Sequence, residues 1–227
     1  MSTIDHPPID LIVFDWDGTL IDSTRAITQA MRLAAIDVGL QDPGDERASH
    51  TIGLGLADAL AHAVPDLSRE KRPAYIERYK HHFLRQHDAL SPFEGIPQML
   101  DALQAAGVPL AIATGKSRIG LNRSLEQATW LGRFVTTRCA DEGEPKPHPW
   151  MLRDICEELG LELSRVLMVG DTTHDLGMAR TAGAHALGVT YGAHPAEQLS
   201  TIPALGLVDS VAQLHAWLTL AAATNGR

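Results

Sequence analysis

Three short apolar runs each end abruptly in a cluster of polar residues. Ile9-Asp10-Leu11-Ile12-Val13-Phe14 gives way to Asp15-Trp16-Asp17-Gly18-Thr19. Val108 to Ala113 ends in Thr114-Gly115-Lys116, and Val166 to Val169 ends in Gly170-Asp171-Thr172-Thr173-His174-Asp175. Their length and branched residues predict buried strands followed by tight loops. Weaker runs at Phe134 to Thr137 and Ala186 to Val189 predict two more strands. Helical spacing separates them. Met99, Leu100 and Leu103 recur within Pro97 to Ala106, with Gly107 as a stop. Met151, Leu152, Ile155 and Leu159 share a side of Trp150 to Leu159, between Pro149 and Gly160.

Strand, helix, strand in repetition predicts an α/β parallel sheet with helices on both faces. Ligands of such sheets bind beyond the carboxyl ends of the strands, where every polar cluster just named falls. The span from Ile21 to Leu90 differs, with helical patterns at Ala26 to Val38, Leu56 to Ala63 and Pro73 to Arg85 and no strand. Breaks fall at Gly39 to Gly44, at Thr51-Ile52-Gly53-Leu54-Gly55 and at Pro65-Asp66. The pattern predicts a helical insert between the first strand and the rest of the sheet. The final Ala222 to Arg227 reads as a frayed tail.

Composition narrows the partners. The 227 residues are 44% hydrophobic, which suits a globular core. No apolar run approaches the ~20 residues that span a bilayer, and Met1 to Pro8 lacks the parts of a signal peptide. Cys139 and Cys156 match neither a disulfide framework nor a metal spacing, so a cytoplasmic setting is expected. A net charge of −9 argues against a nucleic-acid partner but leaves room for one small phosphorylated metabolite in a locally positive pocket. His81, His82 and His87 read as a solvated helix face, and Trp130, Trp150 and Trp217 as core. Oligomeric state is not legible.

The candidate chemistry is acidic. Asp15 and Asp17, two apart on a strand end, face the same way, and adjacent carboxylates call for a cation or a proton. Gly18 permits the turn, and alone this pattern is equally a simple turn. Thr114 offers a hydroxyl at a strand end, with Gly115 letting amides approach an anion at a helix start. Lys146 lies within Glu144-Pro145-Lys146-Pro147-His148-Pro149, where flanking prolines restrict it as a fixed charge for phosphate. Asp171 and Asp175 share a face if a helix begins there, giving an oxygen-rich site suited to Mg²⁺ rather than zinc. His174 between them reads as a loop residue.

In this order the four clusters resemble the haloacid dehalogenase-like hydrolase superfamily. The phosphoglycolate-phosphatase-like branch is suggested by Asp17-Gly18-Thr19-Leu20-Ile21-Asp22-Ser23 and Glu144-Pro145-Lys146-Pro147-His148-Pro149. The resemblance implies a Rossmann-like core of residues 1–20 and 91–227 and a helical cap of residues 21–90. It implies Asp15 as nucleophile, Asp17 as acid and base, and Thr114, Gly115 and Lys146 on the phosphoryl group. Mg²⁺ would be held by Asp15, the carbonyl of Asp17 and Asp171, with Asp175 a ligand through water or an orienting group. A phosphatase for a small monoester such as 2-phosphoglycolate is the implied activity. A phosphomutase, or a regulator that binds a phosphorylated ligand, shares the motifs. The Thr51 to Leu56 loop is the segment expected to reach the substrate, with Lys116 and Arg118 as possible contacts for a substrate carboxylate.

Overall fold

The computed structural model describes residues 7–87 and 89–224, so Met1–His6, Asp88 and Asn225–Arg227 lie outside it, as do the side chains of His87 and Thr224. Six parallel strands form one sheet in the order β3-β2-β1-β4-β5-β6. They are β1 (Leu11–Phe14), β2 (Leu110–Thr114), β3 (Thr136–Cys139), β4 (Val166–Gly170), β5 (His185–Val189) and β6 (Leu207–Val208). All four residues of β1 are buried because both sheet faces are covered. Ile12 and Phe14 pack on one face with Met99, Leu100 and Leu103 of α5 (Ile96–Ala105), beneath α10 (Val211–Thr224). Leu11 and Val13 pack on the other with α7 (Trp150–Leu159) and α8 (Thr173–Ala182). The apolar face of α7 is the one its spacing predicts, and Gly160 ends it at a φ of 67°.

Between β1 and β2 the chain forms α1 (Thr24–Asp37), α2 (Gly44–Ser49), α3 (Leu56–Ala63) and α4 (Arg72–His87). These four helices enclose an apolar cluster of their own around Met31, Leu60 and Tyr75. Tyr75 donates its buried hydroxyl to the Met31 carbonyl at 2.8 Å, tying α4 to α1. The two connections to the sheet lie side by side. Asp22 N–H bonds Ser91 O at 3.0 Å and Phe93 N–H bonds Leu20 O at 3.1 Å.

Helix α2 falls where the pattern shows only a break, because Gly-Asp-Glu-Arg-Ala-Ser carries no apolar period. Strand β3 starts two residues later than the apolar run suggests, since its register sets Thr136 against Ala111. Ala222–Thr224 continue α10 and are not a frayed tail, while the three residues beyond lie outside the described chain. Among described residues, no helix is long and apolar enough to cross a membrane.

Candidate active site

The strand order diverges on either side of the β1–β4 pair, and such a switch point opens a crevice at the carboxyl ends of the strands. Asp15 and Asp17 follow β1, Thr114 ends β2, Asp171 follows β4 and Asp175 lies in the first turn of α8. Lys146 enters from the loop ahead of α7, its side chain fully buried. The Lys146 ammonium donates to Asp15 Oδ1 and to Asp175 Oδ1, each at 2.6 Å. The other oxygen of Asp175 accepts from the Thr172 hydroxyl at 2.6 Å and from its N–H at 3.1 Å, closing a capping box that starts α8. Local helix chemistry therefore fixes Asp175, and Asp175 in turn fixes the lysine.

Asp171 is held as tightly. Thr19 Oγ1 donates to its Oδ1 at 2.8 Å, and Ala193 N–H donates to its Oδ2 at 2.7 Å. Backbone crowds this carboxylate. A Cβ at Gly18, whose φ is +85°, or at Gly192 would come 2.2 Å from Asp171 Oδ2. Asp17 turns to different partners: Ser23 Oγ donates at 2.7 Å, and Lys116 Nζ donates to both carboxylate oxygens at 2.9 Å. Lys116 thus pairs with Asp17 across the mouth of the site. By contrast Oδ2 of Asp15 is buried with no hydrogen-bond partner.

Burial raises the Asp15 carboxyl to about 7, against the opposing pull of Lys146 and helped by the charge of Asp175. Burial and the charges of Asp15 and Asp175 push Asp171 well above the ordinary carboxylate range, despite the N–H of Ala193 and the hydroxyl of Thr19. Burial opposes the charge on Lys146, but Asp15 and Asp175 outweigh it and hold the ammonium protonated. Three buried acids around one buried base leave negative charge in a poorly solvated place, an arrangement a bound cation relieves.

The donor set fits Mg²⁺. Asp15, Asp171 and Asp175 each offer a carboxylate oxygen within 4.8 Å of the others. All three ligands are carboxylate oxygens, the donor type Mg²⁺ prefers. The Asp17 side chain, engaged by Ser23 and Lys116, stands outside the group, so any share it takes falls to its backbone.

The structure thus gathers Asp15, Asp171, Asp175 and Lys146, with Asp17 beside them. Thr114 is buried at the end of β2, where its hydroxyl accepts the Lys116 N–H at 3.2 Å. Arg118 is not among the residues that line the cavity described below. Its guanidinium bonds Glu142 at 2.8 Å and Thr137 Oγ1 at 2.6 Å, so it is not placed to meet a substrate. His174 belongs to α8 rather than a loop. With His194 it donates from Nε2 to the His50 carbonyl, at 3.0 and 3.1 Å, clamping the start of the Thr51–Leu56 loop onto the core. Burial lowers both imidazoles, His194 to about 4, so the rings are neutral donors. Nothing in the pattern pairs His50, His174 and His194, because the pairing is made by the fold across more than a hundred residues. Ser23, Thr19 and the Gly192–Ala193 turn were equally invisible as partners of the acids.

The loop from Thr51 presses on the site. A Cβ at Gly115 would meet the Gly53 and Leu54 carbonyls at 2.6 Å, and one at Gly53 would meet Thr172 Oγ1 at 3.1 Å. Between this loop, α1, α4 and the core lies a cavity of about 350 Å³ that reaches Asp15, Asp17, Gly115 and Lys116.

The sequence pattern of the haloacid dehalogenase-like hydrolases matches residues 12–189. The chain is 35% identical to a Dickeya dadantii protein named "Probable phosphatase IndB", over 92% of this chain and 95% of the relative. It is 31% identical to the phosphoglycolate phosphatase of Aliivibrio fischeri, over 94% and 98% of the two chains. It is 33% identical to the N-acetylmuramic acid 6-phosphate phosphatase of Pseudomonas aeruginosa, over 89% and 92%. The motifs at the strand ends, the sheet order and these similarities agree: the chain belongs to the haloacid dehalogenase-like hydrolases.

Proposed function

We propose that this chain is a Mg²⁺-dependent phosphatase that hydrolyses a small phosphate monoester through an aspartyl-phosphate at Asp15. The observation that carries this reading is the free, buried Oδ2 of Asp15, whose other oxygen is fixed by Lys146. A nucleophile needs one oxygen held for aim and one unengaged for attack. When bound, Mg²⁺ supplies charge neutralisation for the carboxylates and the phosphoryl oxygens, held by Asp15, Asp171 and the Asp17 carbonyl.

The chain's own groups do the rest. Asp15 attacks phosphorus, and the leaving alcohol takes a proton from Asp17. Asp17, returned to a carboxylate, then removes a proton from the water that cleaves the aspartyl-phosphate. Thr114, the Gly115 amide and Lys146 position and neutralise the transferring group, which is where catalysis of phosphoryl transfer chiefly lies. Asp175 orients Lys146. Residues 21–90 serve as a cap over the core of 1–20 and 91–227, excluding water during the reaction. The enzyme works in the cytoplasm on a small phosphorylated metabolite, and the two buried free thiols, Cys139 and Cys156, suit a reducing compartment. 2-Phosphoglycolate belongs on the substrate panel because a relative carries that activity in its name.

The test is phosphate release from a panel of phosphomonoesters with Mg²⁺ or with chelator, alongside Asp15→Asn. Chelator-sensitive release that magnesium restores, absent from the variant, is expected. Residual turnover in Asp15→Asn above about a thousandth of wild type sinks the nucleophile assignment.

A further inference from the structure

The cavity above Asp15 is lined largely by apolar side chains. Its walls are apolar on the cap side: Ile27 and Met31 come from α1, Ile52 and Leu54 from the clamped loop, Phe83 and Leu84 from α4. On the core side Ile119 of α6 (Arg118–Gln127) completes the mouth. Leu84 and Ile119 are 43% and 75% exposed, two large apolar side chains facing the same opening from opposite sides. The one partly buried cation among the lining residues, Lys116, is already bound to Asp17 and lies 5.0 Å over the Phe83 ring. Lys80 and Arg123 line the cavity as exposed residues. A carboxylate or a set of sugar hydroxyls held against the apolar walls, away from these two cations, would lose its water without gaining partners.

We propose that the substrate is the phosphomonoester of an apolar alcohol, aromatic or branched, whose body fills the 350 Å³ cavity between α1, α4 and the Thr51–Leu56 loop. The proposal rests on the phosphatase reading for the position of the phosphate at Asp15. It adds the class of leaving group. Such pockets bind through apolar contact, with few polar groups fixing orientation. Tyr79, stacked on Phe83 at 6.0 Å between centroids, adds a second aromatic ring to the lining of the same cavity.

The experiment measures affinity by calorimetry, so it does not depend on turnover. The probes are non-hydrolysable phosphonates, with Mg²⁺ present: methyl-, butyl-, phenyl- and naphthylmethylphosphonate, and 3-phosphonopropionate as the shape of phosphoglycolate. The expected gain is about fourfold in Kd per buried methylene, so naphthylmethylphosphonate binds at least ~100-fold tighter than methylphosphonate. In Leu84→Asp and Ile119→Asp, both at exposed positions, this ratio falls at least tenfold while the melting temperature holds. A flat series, or 3-phosphonopropionate binding as tightly as the naphthyl compound, overturns the proposal. Absence of phosphate release from every ester is a separate result: it would remove the phosphatase reading and leave the order of affinities to decide this one.

Discussion

The floor and the ceiling of the cavity are built on opposite principles. On the floor, Lys146 ties Asp15 to Asp175 and Thr172 by charge-assisted hydrogen bonds, Thr19 and Ala193 separately hold Asp171, and one oxygen of Asp15 is left unengaged. On the ceiling, the side chains from α1, α4 and the loop are mostly apolar, with Thr51, Tyr79 and Lys80 the polar exceptions. A polar network works only when every member is satisfied, so the floor tolerates few changes. An apolar wall tolerates volume-conserving exchange, so the ceiling can be retuned without disturbing the reaction. Relatives that share this fold and carry different substrates in their names, phosphoglycolate and N-acetylmuramic acid 6-phosphate, fit that separation.

The sharpest way to break the comparison is Asp15→Asn. Turnover should fall by about 10⁴-fold or more, since the amide cannot attack phosphorus. Melting temperature should change little, because the amide removes a buried charge whose carboxyl is already raised to about 7. A large loss of stability would show the floor to be structural first. Next in size is Lys146→Met, which strands Asp15 and Asp175 as buried acids without a base. It should cost about 3–5 kcal/mol in denaturant unfolding as well as activity, and Mg²⁺ should restore part of the stability.

His194→Ala tests the seam between the two regions. Loss of its bond to the His50 carbonyl should loosen the clamped loop and raise KM severalfold more than it lowers kcat. An equal fall in kcat and kcat/KM would instead place His194 in the chemistry. The smallest effect is expected far from the seam. Arg32 holds Asp42 by hydrogen bonds at 2.9 and 2.7 Å on the cap surface and draws its carboxyl down to about 2, helped by Gly44 N–H. A carboxyl lowered on folding stabilises above its unfolded value, and that contribution is lost as pH falls toward about 2. Asp42→Asn should leave kinetics untouched and flatten acid unfolding slightly, as solvent screening makes exposed pairs weak.

The floor was largely legible in the sequence because its residues stand at strand ends, and buried strands announce themselves. Asp15, Thr114 and Asp171 each stand at the end of a short, branched apolar run of the kind that predicts a buried strand. Asp175 was legible as a neighbour four residues on, though the reason it points inward, the capping box with Thr172, becomes visible only with the helix start in place. The ceiling was legible as helices and not as a surface. Ile27, Ile52, Phe83 and Ile119 come from four separate segments, and periodicity says which face of a helix is apolar, not what it faces. Gly53 and Gly55 marked the contacting loop, but the approach of the Gly53 carbonyl to Gly115 is a property of the fold.

Phosphoryl transfer to Asp15 is the central claim, and the stereochemistry at phosphorus tests it most directly. The measurement uses a substrate made isotopically chiral at phosphorus and reads the configuration after transfer to an acceptor alcohol. Two in-line displacements, first by Asp15 and then by the acceptor, predict overall retention. Inversion would mean that the acceptor attacks the substrate directly, and would contradict the account.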